Sequence, residues 1–373
     1  MFSTPSLTPT VAMMISMTPR ALRPAPTPSD SHRFIRLALA PRYAPASLPA
    51  TATVRTARPA SKTAGRARSY STVSLALLSG HPRLLGFPET LLFLTPTIGE
   101  LIEVCAHEPA MPRVEPTARS AALFRDSRLS GLARAIALLH EASQDEGAVL
   151  RALEWLFDHR QRSSVEVMDY LRQLISPQIA IEKTPEISYS GQALARCISA
   201  YPNSRYLHLT RHPVTWQRSM DEASKLWLRD APPELSFRSA CRSAGLMPAY
   251  NIMCWYSCHL RIIQALQAVP RDQWMRVRAE DLLSAPHVWL PRILSWLQLE
   301  SSDLLIAQMI QTENWPFAGG RSDSRRRDGD WKFFADPALR PVELPESGLV
   351  DPKWQITPAG YQRIAALARD LGY

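Results

Sequence analysis

The feature that most constrains this chain is a short strand signal that ends in a basic residue and a proline. Residues 206–209 form an apolar run, Arg211 follows it, and Pro213 stops the strand before a helical pattern at residues 214–220. Arg211 is therefore expected at the carboxyl end of a strand, where open α/β sheets bind ligands. Ser219 falls about two helical turns later. A guanidinium and a hydroxyl in this arrangement suit a bound phosphate.

Strand and helix signals alternate along the remaining chain. Further strands are predicted at residues 179–182 and 274–278. Helices are predicted at residues 71–79, 132–159 in two pieces, 165–175, 251–269 and 288–299, with a last helix capped by Thr357. This alternation predicts the α/β class, with a doubly wound and mostly parallel sheet.

Several motifs in this order resemble the sulfotransferases that use 3′-phosphoadenosine-5′-phosphosulfate (PAPS), in particular bacterial and tyrosylprotein-type members. Residues 68–72 (RSYST) are similar to the family's 5′-phosphosulfate loop, and Arg211 with Ser219 is similar to its 3′-phosphate site. The segment VRAEDL at 277–282, the WLQL at 296–299 and the terminal LGY also resemble family segments. The resemblance covers roughly residues 66–373. It implies a P-loop-like sulfotransferase architecture with helical insertions that form an acceptor pocket.

The resemblance also implies roles for individual residues. Glu89 would be the proton acceptor, and Lys183 and Arg68 would stabilise the transferred sulfuryl group. The nucleotide would be bound by residues of the loop, of the strand–helix turn and of a basic run: Arg68, Ser69, Ser71, Thr72, Arg211, Ser219, Arg325, Arg326 and Arg327. The basic run precedes a Gly-Asp-Trp-Lys turn at 329–332 that is similar to one in cytosolic sulfotransferases.

Other residue types leave alternatives open. His81 and His212 are candidate bases because histidine titrates near neutral pH, although each precedes a proline in a predicted turn. For Glu89 the alternative role is a helix-capping or salt-bridged carboxylate. For Lys183 it is a solvated lysine at the end of a strand. Glu280 and Asp281 are expected to tie a strand to the following loop. Cys254, Cys258 and His259 are expected in the core, since a metal would need two more ligands, and no metal is predicted.

The N-terminal segment differs from the rest of the chain. Residues 1–66 are rich in Pro, Ala, Ser, Thr and Arg, with a single acidic residue. This composition predicts a disordered or targeting-like extension before a sulfotransferase-like domain at 67–373. Localisation stays open: the cytoplasm, or an organelle if the extension is a transit peptide.

The phosphosulfate loop is degenerate. No strand signal precedes Arg68 in residues 57–67, where this fold requires one, and Tyr70 stands where the family has a glycine. Membership of the family therefore does not by itself imply that this chain is catalytically active.

Composition limits the partners. The chain of 373 residues has a net charge of +9, which suits an anionic partner such as a nucleotide with several phosphates. Nucleic acid is not predicted, because no basic run with interleaved aromatic residues is present. No apolar run approaches 18 residues, so no transmembrane segment is predicted.

Three functions compete. The first is sulfuryl transfer from PAPS to a hydroxyl, and the second is a catalytically impaired relative that binds a nucleotide or a partner. A nucleotide kinase ranks last, because the chain lacks a Gly-Lys-Ser/Thr triplet. The acceptor is open among a small metabolite, a glycan, a tyrosyl protein and a carrier-bound acyl chain. Residues 91–175 and 220–250 are expected to form most of its pocket.

Overall fold

The computed structural model describes residues 34–37, 70–107, 115–227, 244–318, 329–342, 344–345 and 348–373. For residues 34–37, 223–227 and 331, only the backbone is described. The predicted site residues Arg68, Ser69, Arg325, Arg326 and Arg327 lie outside the described residues.

A five-stranded sheet lies at the centre of the described structure. Its strands are β1 (Phe34–Leu37), β2 (Leu84–Gly86), β3 (Ile179–Lys183), β4 (Arg205–Thr210) and β5 (Trp274–Arg278). They are arranged in the order β2-β3-β1-β4-β5, and each neighbouring pair is parallel. The predicted doubly wound, parallel α/β class is thus confirmed.

The central strand was not predicted from the sequence. Phe34–Leu37 lies between β3 and β4, with Leu37 beside Lys183 and Ile35 beside Arg205. Residues 57–67, where the sequence shows no strand signal, lie outside the described residues, so that expectation stays a prediction. The central strand of the sheet is formed by these four residues further upstream. The strand is too short to give a clear local signal, and its pairing on both edges is a tertiary effect. The remainder of residues 1–66 lies outside the described residues, so the extension stays a prediction.

Helices surround the sheet and fill the connections. In chain order they are α1 (Tyr70–Ser79), α2 (Ile98–Ala106), α3 (Ala121–Phe124), α4 (Ser130–Glu141), α5 (Glu146–Asp158), α6 (Ser164–Leu174), α7 (Gly191–Ala200), α8 (Pro213–Trp227), α9 (Met247–Leu266), α10 (Ala279–Ser284), α11 (Pro286–Trp296), α12 (Asp303–Ile310), α13 (Trp331–Ala335) and α14 (Pro358–Asp370).

The predicted break in the long helical pattern at 132–159 is confirmed. Helix α4 ends before Ala142, whose φ of 51° is left-handed, and the Asp145 side chain then accepts a hydrogen bond from the Ala148 N–H at 2.8 Å. A left-handed residue followed by an N-cap aspartate ends one helix and starts the next.

Helix α1 packs tightly against the sheet. Its residues from Tyr70 to Leu78 are all buried, and the helix contacts β2, β3, α10 and α12. A Cβ atom at Gly86 would lie 2.3 Å from Ser79 Oγ and 2.5 Å from Leu75 Cδ1. Glycine is therefore required where β2 passes under α1, and this close contact lets α1 pack directly on the sheet.

The strand order defines where a ligand would bind. The strands β2 and β3 lie on one side of β1. After β3 the chain crosses over β1, and β4 and β5 lie on its other side. At such a crossover the connecting loops diverge and leave a crevice at the carboxyl ends of the strands. Lys183 ends β3 and Arg211 follows β4, so these two basic residues flank the end of β1.

Candidate active site

Three predicted site residues meet at the N-terminal end of α1. Lys183 is fully buried, and its Nζ forms an ion pair with Glu89 Oε1. The same Nζ donates a hydrogen bond to Thr72 Oγ1 at 3.3 Å. Glu89 and Thr72 are themselves 6% and 1% exposed. A lysine, a carboxylate and a helix-terminal hydroxyl from three separate elements therefore share one buried position.

Ser71 and Thr72 lie in the first turn of α1, where backbone N–H groups have no partner within the helix. Their side chains are buried at 0% and 1% exposure. The positive end of the helix dipole and these N–H groups favour an anion here. Lys183 Nζ, which is paired with Glu89, lies beside Thr72 and brings a cation to that end.

A polar network that the sequence analysis missed holds the Glu89 segment in place. Thr90 Oγ1 donates to Glu182 Oε1 at 2.8 Å, and the Leu91 N–H donates to Thr184 Oγ1 at 3.0 Å. Thr184 also donates to Glu182. Glu182 and Thr184 flank Lys183 and are fully buried. Both partners of the ion pair are thereby tied to the same stretch of β3. The sequence signal for this network is Glu182 near the end of β3, together with Thr184 two residues later and Thr90 after β2.

Arg211 is held in a fixed orientation beside helix α8. Its Nε donates to Thr215 Oγ1 at 3.2 Å and its Nη2 donates to the Thr215 carbonyl at 3.1 Å. The Trp255 indole N–H donates to the Arg211 carbonyl at 3.0 Å. Ser219 lies in α8, as predicted, and is 4% exposed. The guanidinium is thus positioned before any ligand arrives, which lowers the entropy lost on binding.

Tyr70 occupies an unexpected position. It is the first residue of α1, with helical backbone, so it avoids the left-handed conformation that a loop glycine would supply. Its ring lies under the Arg211 guanidinium, with the Cζ atom 4.1 Å from the ring centroid. Burial raises the pKa of the Tyr70 hydroxyl, and the nearby Arg211 charge partly opposes this shift. The ring thus covers one face of the arginine predicted to bind the 3′-phosphate.

The loop that carries Arg211 is anchored by the end of the chain. The His212 N–H donates to Glu280 Oε1 at 2.8 Å, and the Tyr373 hydroxyl donates to Glu280 Oε2 at 2.7 Å. Arg278 and Asp281 form an ion pair beside them at 2.7 Å. Glu280 thus joins the start of α10 to the loop after β4, in line with the structural role expected for it.

The two histidine alternatives have structural contacts. The His81 ring accepts from the Arg83 N–H at 3.1 Å and its other nitrogen lies 3.2 Å from the Glu300 carbonyl. The His212 ring packs edge-to-face on Tyr373 at 5.3 Å. Burial, and then the charge of Arg211, lowers the pKa of His212 to about 4. Both rings are therefore held neutral near pH 7, His81 also having its pKa lowered by burial.

The turn after the basic run packs on α1. The Asp330 N–H donates to Thr72 Oγ1 at 3.0 Å, and a Cβ atom at Gly329 would lie 2.6 Å from Phe334 Cζ and 3.3 Å from Thr72 Cγ2. A side chain larger than hydrogen would therefore push the turn away from α1. Gly329, two residues after Arg327, thus lies at the N-terminal end of α1.

Among the described residues, no group of three or more His, Cys, Asp or Glu side chains is arranged to hold a metal ion. Cys254 and Cys258 are buried as predicted, and the Cys258 thiol donates to the Ser188 carbonyl at 3.0 Å. In the described part of the chain, no helix combines the length and the apolar character that crossing a bilayer requires.

The model of a family described as the sulfotransferase family matches residues 64–303. The chain belongs to the sulfotransferase family. Among solved structures, the sulfotransferase domain from the curacin biosynthetic pathway is 19% identical, with a TM-score of 0.57 over 81% of this chain and 94% of that domain. The sulfotransferase domain from the Synechococcus PCC 7002 olefin synthase is 21% identical, with a TM-score of 0.57 over 82% of this chain and 92% of that domain.

At these identities, the two structures establish that this sulfotransferase shares their P-loop-like fold. No curated protein matches the chain. The family and fold support sulfuryl transfer in general terms.

Proposed function

We propose that this sulfotransferase moves a sulfuryl group from PAPS to the hydroxyl of an acceptor. The observation that carries the proposal is the buried Lys183–Glu89 ion pair in contact with Thr72 at the N-terminal end of α1. A base, a cation and a helix N-terminus are the three components that such a transfer needs at one point. Their burial excludes bulk water, which would otherwise compete as an acceptor.

The proposed roles combine the family resemblance with the positions of the described residues. The N-terminal turn of α1, with Ser71 and Thr72, would bind the 5′-phosphosulfate together with Arg68 and Ser69. Arg211 and Ser219 would bind the 3′-phosphate, with Arg325, Arg326 and Arg327 as further nucleotide contacts. Arg211 and Ser219 are buried on the β4 side of the crevice and Thr72 meets Lys183 on the β3 side. A nucleotide with phosphates at both ends suits this arrangement.

The transfer forms one bond to sulfur and breaks another. The acceptor oxygen forms a bond to sulfur while the bond between sulfur and the bridging phosphate oxygen breaks. The proton of the acceptor hydroxyl passes to Glu89, and the electron pair of the broken bond stays on the phosphate of the leaving nucleotide. Lys183 and Arg68 offset the negative charge that develops between the two oxygens.

A second function rests on Tyr70. Its ring lies 4.1 Å from the Arg211 guanidinium, at the position where the family's loop has a glycine. A protein whose nucleotide site is partly covered in this way would bind a nucleotide or a partner without transfer. Calorimetric binding of 3′-phosphoadenosine-5′-phosphate (PAP) and a radiolabelled sulfate-transfer assay over an acceptor panel separate the two functions. PAP binding with transfer supports the enzyme, and PAP binding without transfer supports the impaired relative.

Glu89→Gln tests the proposed base. The amide keeps the shape of the carboxylate but accepts no proton, so PAP binding should persist while turnover falls by about 10²–10⁴-fold. Glu100→Gln, at an exposed position of α2, is the matched control and should leave turnover unchanged. Retained turnover with the parental pH profile in Glu89→Gln would move the base elsewhere.

A further inference from the structure

A second buried carboxylate lies close to the Lys183–Glu89 pair. Glu186 follows Lys183 by three residues, in the 3₁₀ turn Pro185–Tyr189 after β3, and is 3% exposed. Its Oε1 accepts a hydrogen bond from Arg128 Nη2 at 3.2 Å. Its Oε2 is buried and has no hydrogen-bond partner among the described residues. A half-satisfied buried carboxylate is costly, so its retention requires an explanation.

Arg128 reaches Glu186 from the predicted acceptor-pocket insertion. It lies in the turn between α3 and α4, within residues 91–175, and its side chain is 12% exposed. The Arg128–Glu186 ion pair therefore joins this insertion to the end of the strand that carries Lys183. The Arg128–Glu186 and Lys183–Glu89 ion pairs are both largely buried, and Glu186 interacts electrostatically with both members of the second pair.

The charges facing Glu186 act in opposite directions. The pKa of Glu186 is raised to about 7: burial is the largest cause, the charge of Glu89 also raises the pKa, and the charges of Arg128 and Lys183 lower it. The two carboxylates repel each other when both are ionised.

We propose that Glu186, held by Arg128, is a positioning residue whose charge promotes transfer of the acceptor's proton to Glu89. This inference rests on the proposed function of Glu89. With Glu186 ionised, protonation of Glu89 removes the repulsion between the two acids, so the proton transfer becomes more favourable. With Glu186 protonated, this gain is absent. The transfer rate then depends on the charge of a residue that does not touch the acceptor.

The test is the pH dependence of turnover in Glu186→Gln. The parent's kcat should rise with an inflection near pH 7, whereas the variant should lack that inflection. The two proteins should turn over at similar rates at pH 6, and the variant should be about three- to tenfold slower at pH 8. KM for PAPS should change little. An equal loss at both pH values would indicate a merely structural role and overturn the inference.

Arg128→Met provides a second variant that keeps the carboxylate. Without the cation, Glu186 should titrate at higher pH, so the inflection in kcat should move upward. An inflection that stays at the parental pH would contradict the inference.

A direct titration separates this inference from the proposed function. In protein labelled with ¹³C at the glutamate carboxyls, the Glu186 resonance is identified by its loss in Glu186→Gln. Its midpoint should lie near pH 7 in the parent and lower in Glu89→Gln, because one repelling charge has been removed. Absence of transfer at every pH would refute the proposed function. The NMR titration would then decide the coupling alone, since an unchanged midpoint in Glu89→Gln overturns it.

Discussion

Replacing Lys183 with methionine should be among the most destabilising single substitutions in this domain. The Lys183 side chain is 0% exposed and that of Glu89 is 8% exposed. Methionine preserves most of the volume and length of lysine but removes the charge. Glu89 would then remain as a buried carboxylate without its cation, close to the second carboxylate of Glu186.

The expected cost follows from the burial of the pair. Removing one partner of a buried ion pair costs about 3–5 kcal/mol, because the remaining charge stays in a poorly solvating environment. Glu89→Gln should cost less, at the lower end of that range, since the amide oxygen still accepts a hydrogen bond from Lys183 Nζ. The double variant, Glu89→Gln with Lys183→Met, leaves no unpaired charge between these positions. Its cost should therefore fall short of the sum of the single costs by about 2–4 kcal/mol.

Urea unfolding followed by tryptophan fluorescence measures these differences, since the chain has ten tryptophans. Arg151→Met is the matched control, because Arg151 forms its ion pair with Glu141 at the surface and is 59% exposed. Its unfolding midpoint should remain at the parental value. A Lys183→Met midpoint as close to the parent as that of Arg151→Met would refute the reasoning. So would a double variant whose cost equals the sum of the single costs.

Three further predictions test other parts of the structure. Arg211→Ala should weaken PAP binding by about 10- to 100-fold, with a much smaller effect on an analogue that lacks the 3′-phosphate; equal losses measured by calorimetry would contradict the assignment. Tyr373→Phe removes the hydrogen bond to Glu280 and should cost about 1–3 kcal/mol in urea unfolding; a variant as stable as the parent would show that this anchor is dispensable. His259 lies 3.0 Å from His208 in the core, and burial lowers its pKa to about 3. Below pH 6.5 the His259 side chain is protonated in the unfolded chain but neutral in the folded chain, so this residue alone should lower stability by about 2 kcal/mol between pH 7 and pH 5. His259→Phe should reduce that pH dependence, and urea unfolding at both pH values measures it.

Much of the fold could be predicted from local sequence patterns. The strand β5 was predicted with the bounds that the structure has, β3 is one residue longer at its end, and β4 is one residue longer at each end. These predictions succeeded because a buried parallel strand needs a continuous apolar run, and prolines or capping residues end it at defined positions. The helices were predicted equally well where an N-cap such as Asp145 or Thr357 marks the start.

The failures occurred where tertiary pairing replaced local signal. Phe34–Leu37 is only four residues long, and it becomes the central strand because β3 and β4 satisfy its backbone on both edges. The three-residue β2 was likewise not predicted, although Glu89 just after it was singled out. Tyr70 was expected to disturb a loop and instead begins α1.

For the candidate site, the sequence by itself determined which chemical groups are available and which strand ends carry them. Lys183 and Arg211 were placed correctly because the ends of parallel strands can be recognised from apolar runs and prolines. Only the tertiary structure decided that Glu89 meets a lysine 94 residues away, that Tyr70 covers Arg211, and that Arg128 pairs with Glu186. These contacts arise when helices and strands distant in sequence pack in one crevice. Their strength depends on shared burial, which no local pattern encodes.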